Sequence, residues 1–366
     1  MVLVKNKKFL FFFLVFLLVC LSAGAVAYVT LWRKPLSTGL AKPTLAADAP
    51  AVLLKPTAAS TEGVRLQPAD AAPAVDLEQT GQPAICGGPE RMLLLAVGID
   101  YQSKGNDYLY GLGDVIRIVR IDFTKPSVAV LAVPRDLRVY IPGLENRGIG
   151  YGKINQSYFY GTPGMGYYQG EAGGAGLMAD TLYYNFGLYP DHYGVISMYS
   201  LEKLINAVGG IDVTLEKAVD GNVNGYDIGF YGIGTHHFNG ETAVSFSRIR
   251  EGYSDLDRID NQTIVLNALY KKMMSEEVRP RLIPILADFI ISNQVLTDFS
   301  PADLPMFMCL AQQIEREDIQ FVTLPSDTFK AETLLSTNDK DYVFYFIPDL
   351  EKINQVFHDF NEGVWP

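Results

Sequence analysis

Residues 9–32 form an almost uninterrupted apolar run of 24 residues. At about 1.5 Å per helical residue, that run is long enough to cross a bilayer core of roughly 30 Å. It reads as a single membrane span. Lys5, Lys7 and Lys8 precede it and Arg33 and Lys34 follow, a bias that keeps the N-terminus in the cytoplasm and sends the rest of the chain outside. Ala25-Val26-Ala27 offers the small-x-small site of a cleaved signal peptide, but the run continues through Val29, Leu31 and Trp32, which favours an uncleaved anchor. Both readings place the folded body outside the membrane. Lipoprotein processing at Cys20 is a poorer fit, because Leu18-Val19 lacks the small residues it favours.

Composition shifts abruptly after the span. Residues 35–89 hold 12 Ala and 8 Pro and show no helical or alternating period, so they read as a tether spanning roughly 40 Å root-mean-square if flexible. The whole chain is acidic, with 30 Lys plus Arg against 41 Asp plus Glu and a net charge of −11. That field repels a polyanion such as DNA. No helix-turn-helix signature is present, and only eight residues precede the span, so nucleic acid is excluded as a partner. The three cysteines and four histidines form no CxxC, no HExxH and no cluster, which excludes a zinc site of the usual soft ligands. Any metal here is held by oxygen. Cys86 and Cys309 could pair in an oxidising compartment, two free thiols being the alternative.

From residue 91 onward the text is that of a mixed α/β protein. Residues 93–99, 115–121 and 128–133 are short runs rich in β-branched residues, as in strands covered on both faces. A Gly/Tyr-rich stretch, 151–176, leads to a helix ending near Phe186. The pattern then predicts a strand at 192–197, a helix at 201–208 closed by Gly209-Gly210, a strand at 211–215 and a longer helix at 256–274. Further on, Ser300-Pro301 opens a helix, and 319–324 reads as a late strand. The expected organisation is a cytoplasmic tip and anchor at 1–34, a linker at 35–89, a main body at 90–275, and a C-terminal α/β extension at 276–366 packed on the same body. The fold class is α/β, a three-layer α-β-α arrangement around a mixed sheet, behind one N-terminal transmembrane helix.

Three groups of residues suggest chemistry. Val133-Pro134-Arg135-Asp136 follows a strand, where ligands of open α/β sheets gather, and Arg beside Asp can address a phosphate and its metal together. In Arg248-Ile249-Arg250, an extended backbone would set both guanidiniums on one face with Ile249 packed away from them. Asp255, Arg258 and Gln262 fall at i, i+3 and i+7 of the following helix, on one polar stripe. Asp100 and Asp114 are further carboxylates at strand ends, and hard oxygens of this kind suit Mg²⁺. Alone, each of these also reads as a turn former or a surface ion pair.

Taken in order, the motifs resemble the LytR-CpsA-Psr family of membrane-anchored cell-wall enzymes. They are Gly98-Ile99-Asp100, Gly113-Asp114, Val133-Pro134-Arg135-Asp136, Lys153-Ile154-Asn155, Gly209-Gly210-Ile211-Asp212-Val213, Asn239-Gly240-Glu241-Thr242-Ala243, Arg248-x-Arg250 and Asp255-x-x-Arg258-x-x-x-Gln262. The resemblance implies transfer of a glycopolymer from a polyprenyl-pyrophosphate carrier to peptidoglycan or another wall acceptor, with Mg²⁺ (Mn²⁺ as an alternative) on the pyrophosphate. It makes Arg135, Arg248, Arg250 and Arg258 pyrophosphate ligands, and Asp114 and Asp136 the metal carboxylates. Asp136 or Asp255 would accept the acceptor proton. Lys153, Asn155, Asp255 and Gln262 join the substrate-binding set, Asp255 and Gln262 chiefly by orienting the arginines.

This chain departs from the family pattern in places. The family usually has a basic residue two positions before the first aspartate and Thr after it, where this chain has Leu112 and Val115. Arg117, inside an otherwise apolar strand, could supply the missing charge or form an interior salt bridge. The helix reads Asp260-Asn261-Gln262 where the family more often has Glu-Arg-Gln, and the 161–176 loop could stack on sugars or cover the site. His192, His236 and His237 receive no catalytic role. Two rivals remain: a lipid pyrophosphatase using water at the same site, and a non-catalytic membrane-bound sensor of lipid-linked wall precursors.

Overall fold

The computed structural model describes residues 39–41, 83–100, 108–222, 227–250, 255–335 and 341–366. The apolar run, the positive-inside bias and most of the linker therefore lie outside the described residues. Among the described residues, no helix is long and apolar enough to cross a membrane.

In chain order the first half contains β1 (Arg91–Ile99), β2 (Gly113–Asp122), β3 (Ser127–Val133), β4 (Arg138–Tyr140) and β5 (Tyr151–Lys153), then helices α1 (Ile154–Gly161) and α2 (Gly173–Phe186). Next come β6 (His192–Ser197), α3 (Met198–Ala207), β7 (Ile211–Leu215), β8 (Val219–Asp220), β9 (Phe230–Tyr231), β10 (Gly234–Phe238), α4 (Gly240–Phe246) and α5 (Asp255–Met273). The C-terminal part adds α6 (Leu282–Ile291), β11 (Val295–Thr297), α7 (Leu304–Ala311), β12 (Ile319–Thr323), β13 (Phe329–Leu335), β14 (Tyr342–Pro348) and α8 (Leu350–Glu362).

The central sheet has the order β11-β6-β1-β2-β3-β12. It is mixed: β1 pairs parallel with β6 and β3 with β12, while β1–β2, β2–β3 and β6–β11 are antiparallel. The chain beyond residue 275 supplies both edge strands. Alternation along β1 sends Leu93, Leu95, Val97 and Ile99 into one core with Met178, Leu182 and Phe357 of α2 and α8. On the other side, α3, α4, α5 and α6 share a second core with β7 and β10, built on Ile205, Val213, Phe246 and Val265.

Local sequence explains the connections. Helix α3 starts at Ser197, whose hydroxyl accepts the Ser200 N–H. It ends where Gly209 and Gly210 adopt φ of 88° and 82°, conformations that glycine takes without strain. The glycine-rich 151–176 stretch is less of a loop than its composition suggests. Helix α1 lies inside it with Tyr158 1% exposed. A Cβ on Gly161 would sit 2.8 Å from the Gly173 carbonyl oxygen, so small residues here let α1 and α2 approach closely. Tyr168 is held against the body by its hydroxyl, 2.8 Å from Asp180 Oδ2.

Cys86 and Cys309 form a disulfide across 223 positions, tying the segment before β1 to α7. Closing so long a loop restricts the unfolded chain. Cys86→Ser, or reduction, is expected to cost about 2–4 kcal/mol of stability, read as a lowered Tm in thermal unfolding with and without dithiothreitol. An unchanged Tm would show that the crosslink does not restrain the unfolded state.

Candidate functional site

A cavity of about 620 Å³ opens where β1 and β6 end, lined by Gly98, Ile99 and Asp100 on one side and Ile196, Ser197 and Met198 on the other. Strand ends of this kind are where α/β sheets receive ligands. Four guanidinium groups reach it, from Arg135, Arg248, Arg250 and Arg258, together with Asp100, Asp114 and Gln262. Apolar groups from Leu201, Ile228, Val244 and Ile249 share the walls, so it is a mixed cavity and not the purely greasy tunnel that a long hydrocarbon alone would select.

Asp114 is placed by a β-bulge. Gly98 pairs with Val115 but Ile99 pairs with Gly113, which leaves Asp114 as the extra residue of β2, turned out of the ladder. The neighbouring Gly113 is buried so tightly that a Cβ would meet Met178 Cε at 2.8 Å. Asp114 then gathers cations. Arg135 Nη1 donates to its Oδ2 in a short contact, Arg258 Nη1 donates to the same oxygen at 3.3 Å, and Arg258 Nη2 to its main-chain oxygen at 3.2 Å. Asn155 Nδ2 donates to Oδ1 at 3.1 Å.

The other arginines are set by main chain. After α4 the chain turns at Ser247 and Arg248 and then extends, with Ile249 1% exposed in the core and its carbonyl accepting from Asn261 Nδ2 at 3.2 Å. Arg248 and Arg250 consequently flank a buried isoleucine and line the same cavity. The segment begins as a helix-end turn and not as a continuous strand, yet the two side chains converge as their spacing predicts. Asn261, a position noted only as a departure, is what pins the segment.

Asp100 also faces the cavity. Its carboxylate accepts the Leu112 N–H at 2.7 Å, and partial burial, reinforced by the charge of Asp114, raises its pKa, opposed by Arg135 and backbone hydrogen bonds.

The structure places the remaining expected residues as follows. Asp136 does not line the cavity: its Oδ1 is 2.6 Å from Lys153 Nζ, and its main-chain oxygen accepts the Phe346 N–H at 2.9 Å. Of the two expected metal carboxylates, Asp114 lines the cavity and Asp136 does not; Asp100 is the second acid in the lining, and its strand-end position was the available signal. Lys153 and Asn155 stand behind the lining, bound to Asp136 and Asp114. Arg117 is 3% exposed between β2 and α5, not in the cavity wall, because its position on β2 turns it toward the helix. The Asp255 side chain lies outside the described residues. His192 pairs with Asp298 at 2.9 Å, His236 with the Gly232 oxygen and His237 with Asp212, all outside the cavity lining. Among the described residues, no three His, Cys, Asp or Glu side chains cluster as a metal site.

The LytR_cpsA_psr family profile matches residues 72–361. The chain belongs to this family. Regulatory protein MsrR of Staphylococcus aureus is 26% identical over 209 residues, covering 56% of each chain. The polyisoprenyl-teichoic acid–peptidoglycan teichoic acid transferase TagU of Enterococcus faecalis is 28% identical over 217 residues, covering 59% of this chain and 64% of that protein. The chain thus spans little more than half the length of these curated relatives. The crystal structure of Bacillus subtilis TagV shares the fold, with a TM-score of 0.57 at 24% identity over 75% of this chain and 98% of that one. This membership accords with the resemblance carried by the motifs.

Asp100 supplies a pH test. A carboxyl whose folded pKa is raised favours folding only while protonated, below its ordinary value near 3.8, and that contribution is lost as pH rises through the raised value. Charged Asp100 therefore works against the fold at neutral pH. Asp100→Asn is expected to raise Tm at pH 7, with the gain vanishing below about pH 4; a gain independent of pH would refute the electrostatic cause.

Proposed function

We propose that this chain is an extracytoplasmic phosphotransferase that moves a glycopolymer from a polyprenyl-pyrophosphate carrier to peptidoglycan or another cell-wall acceptor. The observation that carries the reading is the convergence of Arg135, Arg248, Arg250 and Arg258 on one partly apolar cavity. Guanidinium groups match phosphate geometry and stay charged at all relevant pH. The acceptor hydroxyl oxygen bonds to the sugar-linked phosphorus, its proton leaves to a base, and the bridging P–O bond breaks as polyprenyl phosphate departs. Charge grows on that leaving phosphate, and fixed guanidiniums stabilise it without reorganising. The name of the TagU relative, a teichoic acid transferase, supports this class of substrate.

A divalent cation suits the site. Asp100 and Asp114 both line the cavity, and burial, with a smaller contribution from the Asp114 charge, raises the pKa of Asp100, whereas Asp136 lies outside the lining and pairs with Lys153. Asp100 and Asp114 would hold Mg²⁺, or Mn²⁺ in its place, and the ion would neutralise pyrophosphate oxygens. The apolar run supports a membrane location with the body outside, and the Cys86–Cys309 disulfide fits an oxidising compartment.

The test incubates the full chain with a polyprenyl-pyrophosphoryl glycan, a wall acceptor and Mg²⁺. Arg248→Ala or Arg135→Ala is expected to lower transfer about 10²-fold or more, the scale for losing one donor to developing charge. EDTA should abolish transfer and added Mg²⁺ or Mn²⁺ restore it. Hydrolysis without transfer would assign a pyrophosphatase, and tight lipid binding without any product would assign a sensor.

A further inference from the structure

We propose that Arg117 is a positioning residue that fixes the polarity of the Gln262 side chain, so that the cavity meets an N–H donor at that point and never a carbonyl oxygen. The inference rests on the reading of the cavity as a receptor for a diphosphate.

Arg117 leaves β2 on the face covered by α5 and is 3% exposed. Its Nη2 donates to three oxygens of that helix: the Ile259 carbonyl at 3.3 Å, Gln262 Oε1 at 3.3 Å and Thr263 Oγ1 at 3.5 Å. The Thr263 hydroxyl donates its own proton to Ile259 O at 2.8 Å, which leaves its lone pairs to accept. A guanidinium has donors and no acceptor. The Gln262 amide therefore has one orientation compatible with its neighbour, with Oε1 toward Arg117. Chemistry alone fixes this choice between oxygen and nitrogen, which the shape of an amide does not.

Gln262 also lines the cavity, so with Oε1 committed to β2 its Nε2 is the end left for a ligand. It stands one helical turn beyond Arg258, on the same face. With Arg135, Arg248, Arg250 and Arg258, it completes a set of N–H donors around the place where phosphate oxygens would sit. Turning the amide over would set its lone pairs against those oxygens and exchange an attraction for a repulsion. Arg117 prevents that from beneath, without touching the ligand.

The test measures binding of metal-free inorganic pyrophosphate to the full chain in detergent by titration calorimetry. Gln262→Met and Arg117→Met are each expected to weaken binding about tenfold, and the double variant no further than about tenfold, because both remove the same donor. Losses that multiply toward a hundredfold, or wild-type binding by folded Arg117→Met, would overturn the proposal. Arg117→Lys, which is also a donor without acceptors, is expected to recover most of the affinity. Should Arg117→Met not fold, the wild-type chain still decides the matter. The ¹⁵N-labelled Gln262 side-chain amide, assigned by its absence in Gln262→Met, should shift on adding pyrophosphate, and an unmoved resonance overturns the proposal. Absence of any pyrophosphate binding by the wild-type chain would remove both the function and this inference; binding with additive losses removes this inference alone.

Discussion

The cation cluster depends on one carboxylate. Guanidinium groups brought into one cavity repel each other, and in a part-buried site that repulsion is screened less than in water. Asp114 offsets it by taking Arg135 and Arg258 on a single oxygen, and the bulge that ejects it from β2 makes this geometry available. Arg248 and Arg250 need another restraint. They flank Ile249, whose burial and hydrogen bond to Asn261 fix the main chain between them. Asp114 thus gathers two of the four arginines directly, and the buried Ile249 fixes the main chain that carries the other two.

Much of the fold is written in local patterns. The β-branched runs that become β1, β2 and β3, the Ser197 cap and the Gly209-Gly210 stop are short-range signals, each set by conformational preferences within a few residues. Helix α1 is not legible in this way. Its residues sit in a Gly/Tyr-rich stretch whose composition suggests a loop, and what makes it a helix is contact with α2 through Gly161 and Gly174. That is a tertiary cause, and tertiary causes do not appear in a local window. The same holds for the sheet edges: β11 and β12 come from the distant C-terminal part, and their pairing partners are invisible from their own sequence.

The site shows a parallel division. Spacing placed Arg248 and Arg250 together, and Arg258 with Gln262, because two-residue and four-residue periods act on neighbours. It could not say which acid would join Asp114. Asp136 adjoins Arg135 in sequence, but Lys153, its partner across the β4–β5 hairpin entrance, draws it away from the cavity. Asp100 sits 14 positions before Asp114, and the two meet only because β1 and β2 are antiparallel neighbours. The acid adjacent in sequence stands outside the cavity, and the acid adjacent in the sheet lines it.

Arg117 illustrates why a charge in an apolar strand need not be a ligand. Burying a guanidinium without partners is prohibitive, so such a residue is retained only where fixed oxygens receive it. Helix α5 offers three, from Ile259, Gln262 and Thr263, and two of them, the carbonyl and the hydroxyl, lie behind the cavity wall. The strand period alone determines that Arg117 points to the helix face of the sheet, opposite Ile116 and Ile118 in the main core. Whether it then opens on the cavity depends on the helix laid across it, and α5 covers it completely enough to leave 3% of its surface exposed. A cation so placed can influence a ligand only through the side chain in front of it, which in this fold is Gln262.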